Sequence, residues 1–170
     1  MTLTIRDHSA NQVTRNIFAI LRMPAMFLVT ISLLACEPSD RTPGLWLSGN
    51  EVQSFPTDWT FTDDHSEIFV QVVTPYFLPH SITIWCAQVG GDLFIAARSP
   101  ESKNWVGWME NDNNIRLKIA EDVYNALAIP LNDEETLKQV QLAYRGKYQL
   151  SETPNGEKPS MKYWSIAARN

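Results

Sequence analysis

Residues 81–98 read Ser81-Ile-Thr-Ile-Trp-Cys-Ala-Gln-Val-Gly-Gly-Asp-Leu-Phe-Ile-Ala-Ala-Arg98, and this stretch decides the fold. Ser81–Val89 is rich in β-branched and aromatic residues, which suit a pleated, half-buried surface. Gly90-Gly91-Asp92 follows, and glycine reaches the positive φ of a tight hairpin turn without steric cost. Leu93–Arg98 then returns antiparallel. Upstream, Glu67–Thr74 predicts another strand, ended by Pro75 and Pro79.

Working outward, a first helix is expected after Arg98. Ser99 suits the N-cap, Pro100 the first helical position and Glu101 the first turn. Trp105, Trp108 and Met109 recur at helical spacing for one or two turns before Asn111-Asp112-Asn113-Asn114. Ile115, Leu117 and Ile119 alternate with Arg116 and Lys118, the pattern of a half-buried strand. Glu121-Asp122 turns into a strand over Val123–Leu131. A second helix starts from Asn132 or Asp133, with Asp133, Glu134 and Glu135 at its positive end. Leu137, Val140 and Tyr144 form its apolar stripe, Arg145 lies near its end and Gly146 supplies a stop. A loop over Glu152–Pro159 leads to a last strand, Lys162–Arg169. One more strand is expected around Trp59-Thr60-Phe61. Successive hairpins imply antiparallel pairing, so the fold is mainly β with two short helices, closed or nearly closed into a small barrel.

The segment before this domain is of another kind. Residues 23–35 carry no charge. As a helix they would span about 20 Å, short of the roughly 20 residues that a bilayer requires. Behind Arg6, Arg15 and Arg22 they suit the apolar region of an export signal. Leu33-Leu34-Ala35-Cys36 resembles the lipobox of bacterial lipoprotein precursors. That resemblance implies cleavage before Cys36, a lipid on its sulfur and a membrane-anchored place in the cell envelope. Glu37, where the inner-membrane retention signal has Asp, points to the outer membrane of a two-membrane host. The expected organisation is a signal over residues 1–35, the lipidated Cys36 and a polar tether over 36–43, and a single domain over 44–170. Two alternatives stay open: an uncleaved anchor helix, and a true start at Met23.

The whole chain has 14 Lys plus Arg and 19 Asp plus Glu. Residues 1–35 hold three Arg and one Asp, so the remainder holds 11 basic and 18 acidic residues, a net charge of −7. An acidic domain without a basic stripe argues against nucleic acid as a partner and against adhesion to anionic lipid by charge. The two cysteines, Cys36 and Cys86, could pair in an oxidising compartment. The lipobox gives Cys36 a different use, and Cys86 reads as a small buried hydrophobe. Cysteines and histidines this far apart make no metal-site spacing.

The element order, with the residues at its joints, resembles the pyridoxamine-phosphate-oxidase-like split barrels, the flavin-reductase and deazaflavin-reductase relatives. The similarity runs from about Trp59 to Tyr148. It rests on Pro79-His80-Ser81-Ile82-Thr83, Gly91-Asp92-Leu93-Phe94-Ile95, Ser102-Lys103-Asn104-Trp105, Asn111–Leu117, Val123–Ala128 and Arg145-Gly146-Lys147-Tyr148. The resemblance implies an antiparallel split β-barrel, FMN or a deazaflavin as cofactor, oxidoreductase chemistry and a homodimer. It places the cofactor phosphate at the strand-to-helix joint, on Arg98, Ser99, Ser102 and Lys103, where a helix N-terminus and two cations would meet it. His80, Ser81, Thr83 and Trp105 would face the ring, and His80 is the catalytic candidate because histidine is a side chain suited to moving a proton. The sequence departs from the family at Asp112, where the pattern has Pro, and Glu101 sits among the phosphate-binding positions. Two functions are therefore carried forward: a membrane-tethered flavin- or deazaflavin-binding barrel, and a non-catalytic envelope lipoprotein that binds a partner protein or small ligand.

Overall fold

The computed structural model describes residue 44, residues 46–150 and residues 160–169, all within one compact unit, Asp40–Asn170. Cys36 and residues 1–35, expected above to be a lipobox cysteine and an export signal, lie outside the described residues, as do residues 151–159. Eight strands form one sheet: β1 (Asn50–Val52), β2 (Ile68–Val73), β3 (Pro79–Ile84), β4 (Cys86–Val89), β5 (Asp92–Arg98), β6 (Asn114–Ile119), β7 (Asp122–Pro130) and β8 (Met161–Ala168). Helix α1 covers Asn104–Asn111 and α2 covers Glu134–Tyr148. The pairing order is β3-β2-β6-β7-β8-β5-β4, and every pair along it is antiparallel. The two ends of that order, β3 and β4, are consecutive in the chain. The sheet therefore curls until its edges are joined by one residue, Trp85, which makes a small antiparallel split barrel.

The expected strand Ser81–Val89 is thus two strands, and the physical reason lies at the break. At Trp85 the chain leaves β2 and crosses to β5, so its backbone groups lose their ladder partners. Helix α2 supplies replacements. The Tyr144 hydroxyl lies 3.0 Å from the Trp85 carbonyl and 3.1 Å from that of Phe94. The Tyr148 hydroxyl accepts from the Cys86 N–H at 2.9 Å and lies 2.8 Å from the Cys86 carbonyl and 2.9 Å from that of Ser66. The Trp85 and Tyr148 rings stack at 4.2 Å. Without these partners the bend would strand buried backbone polar groups.

Alternation along the strands builds two apolar layers. Leu93, Ile95 and Ala97 face the barrel interior with Ile115, Leu117, Ile119 and Trp164, while Phe94 and Ala96 face α2 with Val140, Tyr144 and Tyr163. Helix α2 begins as expected: the Asp133 carboxylate accepts from the Thr136 N–H at 2.8 Å. It runs through Gly146, where no stop is needed. It ends at Gln149, whose left-handed φ of 50° turns the chain out.

Three other expectations are corrected. Trp59-Thr60-Phe61 is no strand: Thr60–Asp64 is a 3-10 helix, started by Asp58, whose carboxylate accepts from the Thr60 N–H at 2.9 Å. Trp59 itself is buried against Phe55 and Tyr124. The first strand is instead β1, which pairs parallel with β7 at Asn50↔Asp122. Gly49 makes that approach feasible, because a Cβ there would sit 2.5 Å from the Glu121 carbonyl oxygen. Finally, Arg116 and Lys118 do not face solvent. Both are buried, Arg116 beneath Trp46, Leu47 and Glu51.

Burial raises the Tyr148 pKa to about 12, and burial likewise raises that of Tyr144 well above its usual value. A raised folded-state pKa for an acid means stability that is fully present below about pH 10 and is lost as pH climbs through the folded value. Urea unfolding of the native protein should therefore show stability falling between pH 10 and 12. Tyr148→Phe should cost about 1–3 kcal/mol at neutral pH and flatten the alkaline slope. An unchanged slope would count against the tyrosine brace.

Candidate functional site

The strand-to-helix joint is built in three pieces. β5 delivers Arg98, exposed at the strand end. Ser99 then adopts a left-handed φ of 50°, held by its N–H donating to the Ser160 carbonyl at 2.8 Å. Pro100–Ser102 forms a separate 3-10 turn, and only at Asn104 does α1 begin. Ser99 accordingly caps no helix with its side chain, against expectation. Left-handed backbone breaks the helix before it starts, and Lys103 becomes the N-cap position, without a side-chain cap bond. The Ser102 hydroxyl is committed to the Ser99 carbonyl at 2.8 Å.

Charge at the joint is mixed. The side chains of Arg98 and Lys103 form no ion pair or hydrogen bond among the described residues. Other cations are engaged: Arg116 with Glu51, Lys162 with Glu110, and Lys147 with the Thr62 carbonyl. Glu101 lies between the two cations in sequence. Its own backbone N–H and the Ser160 hydroxyl, 2.7 Å away, hold its carboxyl below the usual range. It is ionised wherever a phosphate would be.

Beside the joint runs an open groove of about 650 Å³ lined by Lys103, Asn104, Trp108, Lys162, Glu110 and Pro75, among others. Trp108 forms an aromatic wall. Its ring meets His80 edge-on at 5.3 Å and Tyr76 at 6.4 Å. Of the sequence candidates, the structure brings Lys103 to the groove and packs His80 onto its wall, without His80 lining it. Trp105 instead leans on Trp164 at 6.2 Å, next to the core.

Ser81 and Thr83 are not gathered there. Ser81 is buried and accepts from the Gly44 N–H at 3.1 Å, so its hydroxyl serves the chain's own N-terminal segment. Thr83 is exposed on β3. The cross-strand row Ser81–Gln71–Arg116 carries a polar network that sequence reading missed. Arg116, only 8% exposed, donates to the Leu47 carbonyl at 2.8 Å and the Gln71 Oε1 at 3.0 Å, pairs with Glu51 and stacks under Trp46 at 4.1 Å. The Gln71 Oε1 also accepts from the Leu47 N–H at 2.8 Å. The one signal for it in the sequence was an Arg and a Gln at inward register on adjacent strands. That signal has no meaning until a covering segment is known.

Cys86 is buried, and burial raises its thiol pKa although Lys147 sits 3.7 Å from its sulfur. Among the described residues no cluster of His, Cys, Asp and Glu could hold a metal ion, and no helix is long and apolar enough to cross a membrane.

Residues 63–162, more than half of the chain, match the family model for "Uncharacterized protein conserved in bacteria", DUF2255. No curated protein matches the sequence. Several solved structures resemble the fold. A Bacteroides thetaiotaomicron protein assigned provisionally to 5-nitroimidazole antibiotic resistance is 9% identical, with a TM-score of 0.51 over 70% of this chain and 82% of that one. Campylobacter jejuni ChuZ is 10% identical, with a TM-score of 0.50 over 64% of this chain and 50% of that one. A Listeria innocua protein assigned provisionally as a pyridoxamine 5′-phosphate oxidase is 13% identical, with a TM-score of 0.49 over 64% of this chain and 87% of that one. The first two agree with the split barrel read from the strand order.

Removing Arg116 would take the donor from the buried Leu47 carbonyl and the partner from Glu51. Arg116→Leu should lower the unfolding free energy by about 3 kcal/mol, whereas Ser81→Ala should cost about 1 kcal/mol. Urea denaturation reads both, and equal losses would contradict the assigned roles.

Proposed function

The chain belongs to the DUF2255 family of bacterial proteins, and on that premise we propose that its barrel binds a phosphorylated planar cofactor, FMN or a deazaflavin, while lipid on Cys36 holds the domain at a membrane. The observation that carries the binding reading is Lys103, at a helix start without a side-chain cap and on the groove, with Arg98 at the strand end before it; neither cation is engaged among the described residues. Free N–H groups and the positive end of a helix favour an anion there. In the groove Lys162 is paired with Glu110, so Lys103 against Glu101 sets the local charge, and Arg98 at the strand end adds the cation that a phosphate would need.

In this reading Lys103 meets the phosphate as a point charge and Arg98 as a fork. The Trp108 face supplies a wall for a flat ring, and His80 behind it holds that indole in place. When bound, a flavin or deazaflavin supplies hydride chemistry, which belongs to the cofactor. This chain's own residues bind and orient it. The split-barrel resemblance also implies a homodimer.

Glu101 favours a second reading, an envelope module that binds a partner without a cofactor. The two readings separate in one titration. FMN added to the purified protein should give a flavin spectrum that survives gel filtration. Arg98→Ala with Lys103→Ala should weaken binding at least tenfold, on the order of two charge-assisted hydrogen bonds, and Glu101→Gln should strengthen it. Absence of binding by either FMN or a deazaflavin would transfer the case to the second reading. Separately, Cys36→Ala should release the domain from the membrane fraction, and a variant that stays there would overturn the lipid tether.

A further inference from the structure

The β2–β3 hairpin ends in Thr74-Pro75-Tyr76-Phe77-Leu78, which carries no charge. Tyr76 is 63%, Phe77 87% and Leu78 59% exposed, an unusual concentration of bare apolar surface at one loop tip. The tip is also held in place. Buried Thr74 clamps its base, its N–H and its hydroxyl donating to the Leu78 carbonyl at 3.0 and 2.9 Å. The Leu78 N–H donates back to the Thr74 hydroxyl at 3.1 Å, and the Phe77 N–H to the Thr74 carbonyl at 2.9 Å. Phe77 is fixed at a φ of 63°, a conformation costly for an aromatic residue. A strained loop that presents Phe77 to solvent has no purpose in packing this domain.

The position of the tether supplies an occupant. The described chain starts at Gly44, bonded to Ser81 on β3. Ser81 is four residues from Phe77, about 13 Å along a strand. Cys36 is eight residues before Gly44, so its sulfur lies within roughly 27 Å of that point. A lipid on Cys36 would therefore keep the tip within roughly 40 Å of the bilayer, at an effective concentration that makes even weak insertion count.

We propose that Tyr76, Phe77 and Leu78 form a second membrane contact, inserting into the interface of a bilayer of uncharged net headgroup; this rests on the tether at Cys36 proposed above. An aromatic and aliphatic tip with a phenolic edge matches the boundary between headgroups and acyl chains. The net charge of −7 after residue 35 selects against an anionic surface, so contact is hydrophobic and is weakened by anionic lipid. Pro75 lines the groove and Tyr76 meets Trp108, so insertion turns the groove mouth toward the headgroups. Ligands dissolved in or lying on the membrane would then have the shortest path to it.

The test uses the full chain, matured in bacterial membranes and reconstituted in phosphatidylcholine vesicles. Phe77→Cys carries a polarity-sensitive fluorophore, and Asp92→Cys, beyond the far end of β4, carries the same label as control. Cys86 is buried and stays unlabelled. The expected result is a blue shift and quenching by spin-labelled lipid at residue 77 alone. Both should diminish as phosphatidylglycerol is added and disappear in the Tyr76→Asp, Leu78→Asp background. A water-like spectrum at residue 77 would overturn the proposal. So would a blue shift that needs no vesicles and grows with protein concentration, because a second copy would then cover the tip. Mass spectrometry of the Cys36 peptide separates the two readings. If no lipid is found the tether falls, and the same spectrum in a Cys36→Ser background decides the tip, a shift supporting it and no shift overturning it.

Discussion

The barrel depends on how the chain is caught at Trp85. One residue carries the strand from one edge of the sheet to the other, and neither neighbouring ladder can satisfy the backbone there. Tyr144 and Tyr148, one helical turn apart on α2, put hydroxyls on the Trp85 and Cys86 backbone groups. This interaction ties the elements together. It requires α2 to lie over β4 and β5, and that fixes the second apolar layer. The ring stack of Trp85 on Tyr148 shields the same bonds from water, which strengthens them.

How far the sequence speaks for itself depends on whether a feature is local. Alternation in β2, β5 and β6 identified strands, because a period of two is set by the pleat alone. The Gly90-Gly91 turn was legible for the same reason, since both residues sit at positive φ. The break at Trp85 was not legible: the residues on both sides have strand character, and the cause of the break lies some sixty positions away in α2. Arg116 is the complementary case. Its alternation with apolar neighbours was read correctly as two faces. The inference that its charged head meets water failed, because Trp46, Leu47 and Glu51 cover it, and nothing local announces a parallel strand three residues long.

The candidate site divides along the same line. Arg98 and Lys103 could be picked from the order strand, turn, helix, and the structure leaves both unengaged among the described residues. Ser99, Ser102 and Ser81 were picked for their hydroxyls, and a hydroxyl near a turn is readily taken by the nearest carbonyl or N–H. The Ser102 hydroxyl donates to the Ser99 carbonyl, and the Ser81 hydroxyl holds Gly44. Charge survives this local competition better than hydroxyl chemistry does, because no backbone group neutralises an ammonium or a guanidinium. That is why the cations carry the functional reading and the serines do not.

The segment Gly44–Val52 shows how anchorage and fold meet in one stretch of chain. It is bonded to Ser81, Gln71 and Arg116, and it pairs with β7. Any tether attached before it thus acts on the barrel at Gly44, through its bond to Ser81. The Arg116 side chain, buried beneath Trp46, grips this strap through the Leu47 carbonyl and the half-exposed Glu51. The polar network under the strap therefore has a structural reason. A directional, fully partnered grip holds a short edge strand in one register, whereas apolar contacts alone would let it slide.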